Sequence, residues 1–394
     1  MAVAAAQGGP IVTDEPGSFP AAFLARSYAP GETASLSLWA HAPRVTVRFF
    51  HIGPNLRHVP RYDELVGASV GPARTVAWHK MLHLRIPSGP SGLYYAQLST
   101  ADGRLGYAVY VLRPRRLGAS RIAVIEPTNT WQAYNFRDVD GNGVGDTWYA
   151  DPSYNGVDLT RPFLNKGVPP HFRQYDLGFL QWFAKTGRRA DFLSDDDVER
   201  MSGKKLAKLY GLVVFPGHEE YATAGTWNAI EQYRNLGGNL AFLSANDFFY
   251  RVVPRGTRIY RTGRWEDVGR SDAALIGGGY VGWFDNTSKN EPYVVTGAKK
   301  APWLFHGTGL ANGSSFGSYG IEINQWTSAS PPHTLVLAEA KDLFGPGRSA
   351  QMTYYQTPKG AKVFSAGAIN FGGSAKWPVV SLLLDNLWRR LSTP

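Results

Sequence analysis

The segment Leu212-Val-Val-Phe-Pro-Gly-His-Glu-Glu-Tyr221 places a short apolar run directly before a glycine and three polar residues. Four apolar residues in a row are typical of a parallel β-strand that is covered on both faces. In open α/β sheets, ligands bind in the crevice beyond the carboxyl ends of such strands. The segment therefore predicts a strand that ends in a polar site at His218, Glu219 and Glu220. The alternative is a solvated strand-to-helix turn, in which the glutamates only favour the next helix N-terminus through its dipole.

Composition and length limit the classes of protein that the chain can be. Of its 394 residues, 43% are hydrophobic and 18% are charged, which is typical of a folded globular protein. The length exceeds that of a usual single hydrophobic core, so two domains are expected. The net charge is +10, but lysine and arginine are scattered along the chain. We therefore expect no nucleic-acid partner, and no apolar segment is long enough to predict a membrane partner.

The chain contains no cysteine, which excludes disulfides, cysteine nucleophiles and thiolate metal sites. Any metal must therefore be held by oxygen and nitrogen ligands. The first residues, Met1-Ala-Val-Ala-Ala-Ala-Gln7, are similar to the small-residue end of an export signal. A disordered alanine-rich tail is the alternative.

Two regions of different strand and helix pattern are expected, at residues 20–117 and 118–394. The first alternates short strands with Gly- and Pro-rich turns, which predicts an immunoglobulin-like β-sandwich, although the Cys-Trp-Cys signature is absent. The second alternates strands with helices, which predicts an α/β domain with a parallel sheet. The strands predicted in the first region are 34–39, 45–50, 92–98 and 107–112. Those predicted in the second are strands 122–126, 190–193, 212–215 and 239–243, and helices 172–186, 195–201, 226–236 and 379–391.

Four segments at predicted strand ends carry a family resemblance. They are Thr128-Asn-Thr-Trp-Gln-Ala-Tyr-Asn135, His171-Phe-Arg-Gln-Tyr-Asp176, Pro216-Gly-His-Glu-Glu-Tyr221 and Leu243-Ser-Ala-Asn246. In this order the set resembles the large (beta) subunit of N,N-dimethylformamidase and its relatives, over most of residues 120 to 390. Members of that family are amidohydrolases that carry one iron, bound by two tyrosines and one glutamate. Their catalytic domain is similar to the glutamine amidotransferase fold, which is flavodoxin-like.

The resemblance implies that Tyr134, Tyr175 and Glu220 bind a mononuclear ferric ion (Fe3+). Two phenolates and a carboxylate make a hard, oxygen-rich site with open positions, at one of which water could be activated. For either tyrosine alone, a core tyrosine satisfied by one hydrogen bond is the alternative. The implied reaction is hydrolysis of a formamide or another small amide. The implied partners are the amide substrate and either a second copy of the chain or a small partner subunit.

Three further residues are implied to act in catalysis. His218 would polarise or orient the substrate, and it stands two residues from Glu220, so on a strand both would face the same side. Asn246 would line the pocket. Glu322, in Gly320-Ile-Glu-Ile-Asn324, is the candidate general base or proton shuttle, because amide cleavage needs a proton on the leaving nitrogen. A surface glutamate at a strand edge is the alternative for Glu322.

The segment Asp138-Val-Asp-Gly-Asn-Gly-Val-Gly-Asp146 has an oxygen donor at every second position. Its spacing matches the first half of a calcium loop, and glycines permit the sharp turn. A glycine-rich acidic turn without metal is the alternative. A structural Ca2+ would favour an exported protein over a cytoplasmic one. The predicted ligands are the side chains of Asp138, Asp140, Asn142 and Asp146 and the carbonyl of Val144.

Two other function classes compete with the amidohydrolase. A serine hydrolase of the α/β-hydrolase type is disfavoured because the chain has no G-x-S-x-G motif. The other is a non-catalytic, exported, calcium-dependent binding protein for a glycan or another ligand. It would present an aromatic surface around the acidic loop, formed by Trp131, Trp148 and Tyr149.

Overall fold

The structure is a computed structural model that describes residues 11–54, 61, 63–284 and 287–393. The predicted export-signal remnant, Met1 to Gln7, lies outside these residues. Within them, every helix is too short or too polar to cross a membrane.

Two antiparallel-rich sheets make up the N-terminal part of the chain. Their strands are β1 (Ala21–Phe23), β2 (Ser27–Tyr28), β3 (Thr33–Leu38), β4 (Arg44–Ile52), β5 (Gly67–Ala77), β6 (Met81–Arg85), β7 (Gly92–Ser99) and β8 (Leu105–Leu112). One sheet has the order β1-β3-β6 and the other the order β2-β8-β7-β4-β5. The strands predicted at 34–39, 45–50, 92–98 and 107–112 are confirmed as β3, β4, β7 and β8.

Alternating burial shows how this part forms its core. In β3, Ala34, Leu36 and Leu38 are buried while the residues between them are not. They share one hydrophobic cluster with Val45 and Tyr94 of the other sheet. The two sheets thus bury apolar side chains against each other, as period-2 strands require. The immunoglobulin-like topology and the boundary at residue 117 stay predictions.

The remaining strands and helices form the C-terminal part. Its strands are β9 (Ile122–Glu126), β10 (Val157–Asp158), β11 (Asp191–Ser194), β12 (Leu212–Phe215), β13 (Tyr221–Thr223), β14 (Asn239–Phe242), β15 (Tyr250–Arg255), β16 (Arg258–Arg264), β17 (Gly279–Trp283), β18 (Glu291–Val295), β19 (Ser315–Tyr319), β20 (Glu322–Gln325), β21 (Leu335–Ala340), β22 (Ala350–Gln356) and β23 (Lys362–Ser365). Its α-helices are α1 (Thr128–Ala133), α2 (Phe172–Tyr175), α3 (Leu177–Lys185), α4 (Asp195–Glu199), α5 (Gly203–Leu209), α6 (Ala224–Asn235), α7 (Asp272–Ile276), α8 (Pro302–Phe305) and α9 (Pro378–Ser392).

A nine-stranded sheet with the order β11-β9-β12-β14-β23-β22-β21-β18-β19 is the centre of this part. Strands β11, β9, β12, β14 and β23 pair in parallel. The strands from β22 to β19 extend the sheet in antiparallel fashion. The sequence predicts a parallel sheet, and this antiparallel half is not part of that prediction. Two smaller sheets, β10-β16-β15-β13 and β17-β20, lie outside it.

Both faces of the parallel half are buried, which explains its continuous apolar runs. In β12, Leu212 and Val214 join a core cluster that includes residues of α3 and α9. Val213 and Phe215 join the opposite cluster, with residues of α4, α5 and α6. The first cluster also contains Leu93 and Val111 of the N-terminal sheets, so the two parts share one apolar core.

Most predicted helices of the C-terminal part are confirmed, but the single helix predicted at 172–186 is wrong. The structure has two helices there, α2 and α3, which meet at Asp176. Asp176 has a φ of −112°, far from the α-helical value. Just after this break, the backbone at Gly178 lies very close to the backbone at Gly373. A Cβ added at Gly178 would overlap the carbonyl oxygen of Gly373.

The glycines at 372 and 373 allow three chain segments to meet behind the strand ends. A Cβ on Gly372 would overlap the carbonyl oxygen of Pro216, and a Cβ on Gly373 would overlap that of Gln174. Both contacts are to backbone, which cannot rotate away as a side chain can. The glycine pair therefore fixes how closely the segment containing Tyr175 lies to the segment after β12.

We predict that Gly373→Ala lowers the free energy of unfolding by about 1–3 kcal/mol, the usual cost of overpacking. Gly211→Ala is the matched control, because its added Cβ would meet nothing closer than the carbonyl oxygen of Arg121 at 3.9 Å. The control should change stability by no more than about 0.5 kcal/mol. Chemical unfolding of the two variants and the wild type measures both effects. Equal stability of all three would contradict the packing argument.

Candidate active site

Polar segments follow three neighbouring strands of the parallel sheet. Strand β9 leads through α1 to Tyr134, β12 leads to His218 and Glu220, and β14 leads to Asn246. Because β9, β12 and β14 are adjacent and parallel, these segments meet at one edge of the sheet. A fifth residue, Glu322, comes from the start of β20, whose Ile323 bridges to Ala368 beyond β23.

The segment from Pro216 to Glu220 is buried and lies between two strands. His218, Glu219 and Glu220 are all buried, so the alternative of a solvated turn is wrong. The expected strand geometry for His218 and Glu220 is also wrong, because β12 ends at Phe215 and β13 begins only at Tyr221. Their side chains nevertheless meet, with His218 Nε2 lying 3.3 Å from Glu220 Oε2.

His218 is held in a defined orientation. Its Nδ1 lies 2.9 Å from the carbonyl oxygen of Ala245, so this nitrogen carries a proton and donates it. Its Nε2 faces three oxygens, those of Tyr134 at 3.1 Å, Glu220 at 3.3 Å and Glu322 at 3.7 Å. Burial lowers the pKa of His218, but the carboxylates of Glu322 and Glu220 outweigh burial and raise this pKa to about 9. The raised pKa favours the protonated ring, a cation beside the carboxyl groups of Glu220 and Glu322.

Glu322 lies between Tyr134 and His218. Its Oε1 accepts a hydrogen bond from the Tyr134 hydroxyl at 3.4 Å, while its buried Oε2 has no hydrogen-bond partner among the described residues. Burial raises the pKa of Glu322 to about 7, against the opposing charge of His218 and the nearby amide of Asn246. A carboxyl with such a pKa can both take and give a proton near neutral pH. The side chain is only 14% exposed, so the alternative of a surface glutamate is wrong.

Asn246 is buried, and its predicted role as a residue lining the pocket stays a prediction. Its backbone adopts a left-handed φ of 55°, uncommon for a residue other than glycine, and its backbone N–H bonds to Asn324 Oδ1 at 2.9 Å. Its own Oδ1 is buried and has no partner among the described residues. Strain and an unpaired polar atom at one position are typical of a functional site.

Tyr134 and Tyr175 flank the histidine. Their ring centroids lie 5.5 and 6.4 Å from that of His218, and all three residues line one small cavity. Burial raises the pKa of both phenols, and the carboxylate of Glu322 raises both further. Both phenols therefore stay neutral unless a cation offsets the negative charge.

Tyr149 is a site residue that was not predicted to act in catalysis. Its hydroxyl donates to Glu220 Oε2 at 2.5 Å and accepts from the Tyr221 hydroxyl at 3.1 Å. No motif pointed to it, because the contact joins two loops that are far apart in sequence. The aromatic surface of the competing binding-protein hypothesis is wrong, since Trp131 and Trp148 are buried.

The acidic loop brings its carboxylates together. Oxygen atoms of Asp138, Asp140 and Asp146 lie within 4.8 Å of one another, so the group could bind a metal ion. Asp138 accepts hydrogen bonds from the backbone of Gly141 and Gly143, at 2.7 and 2.8 Å. Of the other predicted donors, Asn142 and Val144 lie exposed in the same turn.

Further acids are buried behind the site. They surround the segment that carries His218, and burial raises the pKa of each, to about 8 for Asp176 and about 7 for Asp247. These acids resist ionisation because the apolar sheet disfavours their charged form. The complete set is Glu126, Asp176, Asp195, Glu219 and Asp247.

A sequence model of the family described as N,N-dimethylformamidase beta subunit-like, C-terminal, matches residues 51–381. The chain is similar to the N,N-dimethylformamidase beta subunit of Paracoccus aminophilus, with 24% identity, and to that of an Alcaligenes species, with 23%. Each alignment covers 76% of this chain and 52% of the relative, so the chain spans about half the length of the curated relatives it matches. A superoxide reductase (neelaredoxin) from Ignicoccus hospitalis is 14% identical over 23% of this chain and 76% of its own. Its TM-score of 0.15 supports no argument.

Because burial raises the pKa of the acids at this site, we predict that the free energy of unfolding of the metal-free protein falls as the pH rises. Glu322 has a pKa of about 7 against an ordinary 4.5, so the folded state binds more protons between these values. Its contribution to stability is therefore largest below about 4.5 and is lost as the pH rises through about 7. Glu322→Gln should flatten the decline between pH 5 and 7.5, measured by chemical unfolding with a chelator. Glu291→Gln, exposed on β18, is the control, and a wild-type slope in Glu322→Gln would contradict the assignment.

Proposed function

Because the chain belongs to the N,N-dimethylformamidase beta subunit-like family, we propose that it is an iron-dependent amidohydrolase. The proposed substrate is a formamide or another small amide, whose C–N bond is cleaved by water. The observation that carries the proposal is the meeting of Tyr134, Tyr175 and His218 in one cavity, with Glu220 and Glu322 in contact with His218.

The donor set fits a ferric ion. Tyr134, Tyr175 and Glu220 are the residues that would hold it, and phenol and carboxylate oxygens are ligands that a hard cation prefers. The unpaired Oε2 of Glu322 and Oδ1 of Asn246 are further buried oxygens beside them. Such a concentration of buried oxygens is costly without a positive charge to balance it. When bound, the ion would supply a Lewis acid that polarises the amide carbonyl and makes water more acidic.

The protein's own groups would manage the protons. Glu322, with a pKa of about 7, would accept the proton of the attacking water and deliver a proton to the leaving nitrogen. The water oxygen becomes bonded to the carbonyl carbon, the C–N bond breaks, and the products are a carboxylic acid and an amine. His218, fixed by the carbonyl of Ala245, would keep its Nε2 proton directed at the developing negative charge.

Tyr149 would position the carboxylate ligand. Its hydroxyl bonds to one oxygen of Glu220, which restricts the carboxylate to one orientation. Groups of this kind that orient metal ligands commonly change metal affinity tenfold to a hundredfold when removed.

We also propose that the chain acts together with a partner subunit. The relatives from Paracoccus aminophilus and Alcaligenes are named as beta subunits. A small subunit, or a second copy of this chain, would then complete the functional assembly.

We predict that the purified protein binds about one iron per chain and absorbs visible light, because tyrosinate ligands transfer charge to ferric iron. Tyr134→Phe, Tyr175→Phe and Glu220→Gln should each lose the iron and the colour. His218→Ala should keep both but lose turnover by at least about a hundredfold, because it acts on protons and not on the metal. Metal analysis, visible absorption and amide hydrolysis measure these outcomes.

Tyr354→Phe is the matched control, because Tyr354 is also a buried tyrosine whose hydroxyl accepts a hydrogen bond, from Gln356 at 2.6 Å. It should keep iron, colour and activity. A colourless, fully active protein loaded with zinc would contradict the iron assignment. Loss of metal in His218→Ala with retention in Glu220→Gln would reverse the two roles.

The acidic loop is proposed to hold a structural Ca2+. Its donors would be the side chains of Asp138, Asp140, Asn142 and Asp146 and the carbonyl of Val144, in the alternating pattern of a calcium loop. The closeness of the three carboxylates supports this assignment.

Calcium should raise the thermal unfolding midpoint independently of iron. A ligand that binds only the folded state stabilises it by about 2.7 kcal/mol at a hundredfold excess over Kd. Asp138→Asn combined with Asp140→Asn should erase the shift and leave the iron colour unchanged. Asp151→Asn, in a neighbouring turn, is the control and should keep the shift. Scanning calorimetry, first with a chelator and then with calcium, measures the unfolding midpoints. An unchanged midpoint of the wild type would mean that the loop is an ordinary acidic turn that binds no calcium.

A further inference from the structure

His171 is the solvent-exposed residue of the small cavity that Tyr134, Tyr175 and His218 line. Eight of the described residues line this cavity. Seven of them are buried or half-buried, and His171 alone among the eight is exposed. The His171 side chain therefore marks the place where the cavity opens to solvent, which is called the mouth below.

The imidazole ring of His171 contacts both tyrosines. It stacks on the ring of Tyr175, with centroids 5.1 Å apart and an angle of 26° between the planes. It meets the ring of Tyr134 edge-on, with centroids 5.8 Å apart and an angle of 87°. These two contacts place the imidazole across the opening between the two proposed iron ligands. A molecule bound beside both tyrosines would therefore meet this ring on its solvent side.

The backbone of His171 is fixed to the segment that carries Tyr175. Its carbonyl oxygen accepts hydrogen bonds from the backbone N–H groups of Gln174 and Tyr175, at 2.8 and 3.0 Å. The residue has a left-handed φ of 56°, which is uncommon for a residue other than glycine. Such conformations persist where the surrounding structure determines them, and they cluster at ligand sites. The mouth therefore widens only if the imidazole rotates or the whole segment moves.

We infer that His171 is a specificity-determining residue that limits the substrate to amides with small alkyl substituents. The inference rests on the proposed hydrolase function and narrows its substrate class. The amide carbonyl would lie beside Tyr134, Tyr175 and Glu220, so the substituents that do not fit within the cavity extend towards the imidazole. Short alkyl groups would contact the ring, and long ones would overlap it.

Two substitutions of His171 separate the size of its ring from the chemistry of its nitrogens. His171→Asn removes the ring, and asparagine tolerates a left-handed backbone. His171→Phe keeps a planar ring and has no nitrogen that could transfer a proton. The chain accommodates phenylalanine at this backbone conformation, because Phe248 also has a φ of 56°. A steric role predicts that only His171→Asn changes the size limit.

Two neutral formamides of different size test the inference. The iron-loaded wild type should hydrolyse N,N-dimethylformamide with at least about tenfold higher kcat/KM than N,N-dibutylformamide, because a rigid pocket discriminates by size. His171→Asn should remove most of this preference by raising kcat/KM for N,N-dibutylformamide, with little change for N,N-dimethylformamide. His171→Phe should keep the preference.

His41→Ala is the matched control, because His41 is also an exposed histidine in contact with an aromatic ring, that of Trp78 at 4.7 Å. It should keep the wild-type preference. The inference is overturned if the wild type does not discriminate between the formamides, or if His171→Asn keeps the preference or slows both equally. In each case hydrolysis by the wild type leaves the proposed function standing.

Fluorescence quenching tests the mouth without iron or turnover. Trp131 lines the cavity and is 6% exposed, so its fluorescence reports which molecules enter. Acrylamide and N-tert-butylacrylamide are a small and a bulky amide that quench tryptophan on contact. The difference between each protein and its Trp131→Phe counterpart isolates the signal of Trp131 among the 12 tryptophans of the chain.

In the metal-free wild type, acrylamide should quench Trp131 more strongly than N-tert-butylacrylamide. The two quenching constants should become equal in His171→Asn and should stay different in His171→Phe. This result without hydrolysis of either formamide supports the role of His171 at the mouth while the hydrolase proposal fails. Equal quenching by both amides in the wild type, or no quenching of Trp131, overturns the inference whether or not the formamides are hydrolysed.

Discussion

The burial of two carboxylates beside one histidine is the constraint on which the site depends. Glu220 and Glu322 lie 3.3 and 3.7 Å from His218 Nε2, and both are largely removed from water. An unpaired buried charge costs several kcal/mol, so His218 must remain protonated while both acids are ionised. A bound cation would change this balance, because it would release His218 from neutralising both acids. The charge state of the histidine, and with it the proton that it can offer to a substrate, therefore depends on what the tyrosines and Glu220 hold.

The scaffold meets this constraint by covering the parallel strands on both faces. Strand β12 sends alternate residues into two apolar cores, so the segment after Phe215 emerges into a low-dielectric environment and not into water. The same environment raises the pKa of the acids behind the site, which disfavours further negative charge there. The glycines at 372 and 373 then let the segment with Tyr175 pack against the segment with Pro216. A side chain at either glycine would separate the tyrosine from the carboxylates.

Strong local patterns made the parallel half of the sheet predictable. The strands at 122–126 and 212–215 have the predicted bounds, because a buried apolar run between glycines or polar residues has few alternatives. The positions of Tyr134, Glu220 and Asn246 follow from the rule that polar residues after adjacent parallel strands meet. That rule does not predict the position of Tyr149, which lies in an irregular loop. Its hydrogen bond to Glu220 is a tertiary contact that no local sequence pattern indicates. The break at Asp176 was hidden as well, and the helical segments on either side of it pack closely against the distant Gly373.

The loop that carries the acidic cluster also links the two sides of the site. Thr147 directly follows Asp146, and its hydroxyl bonds to the carbonyl oxygen of Ala133, the residue before Tyr134. Two residues later, Tyr149 bonds to Glu220. The loop thus fixes the backbone of one metal-ligand candidate and the carboxylate of another through a single short segment. An ion that stiffened the loop would restrict the Ala133 backbone and the Glu220 carboxylate together, although the two proposed ions share no ligand and each can bind without the other.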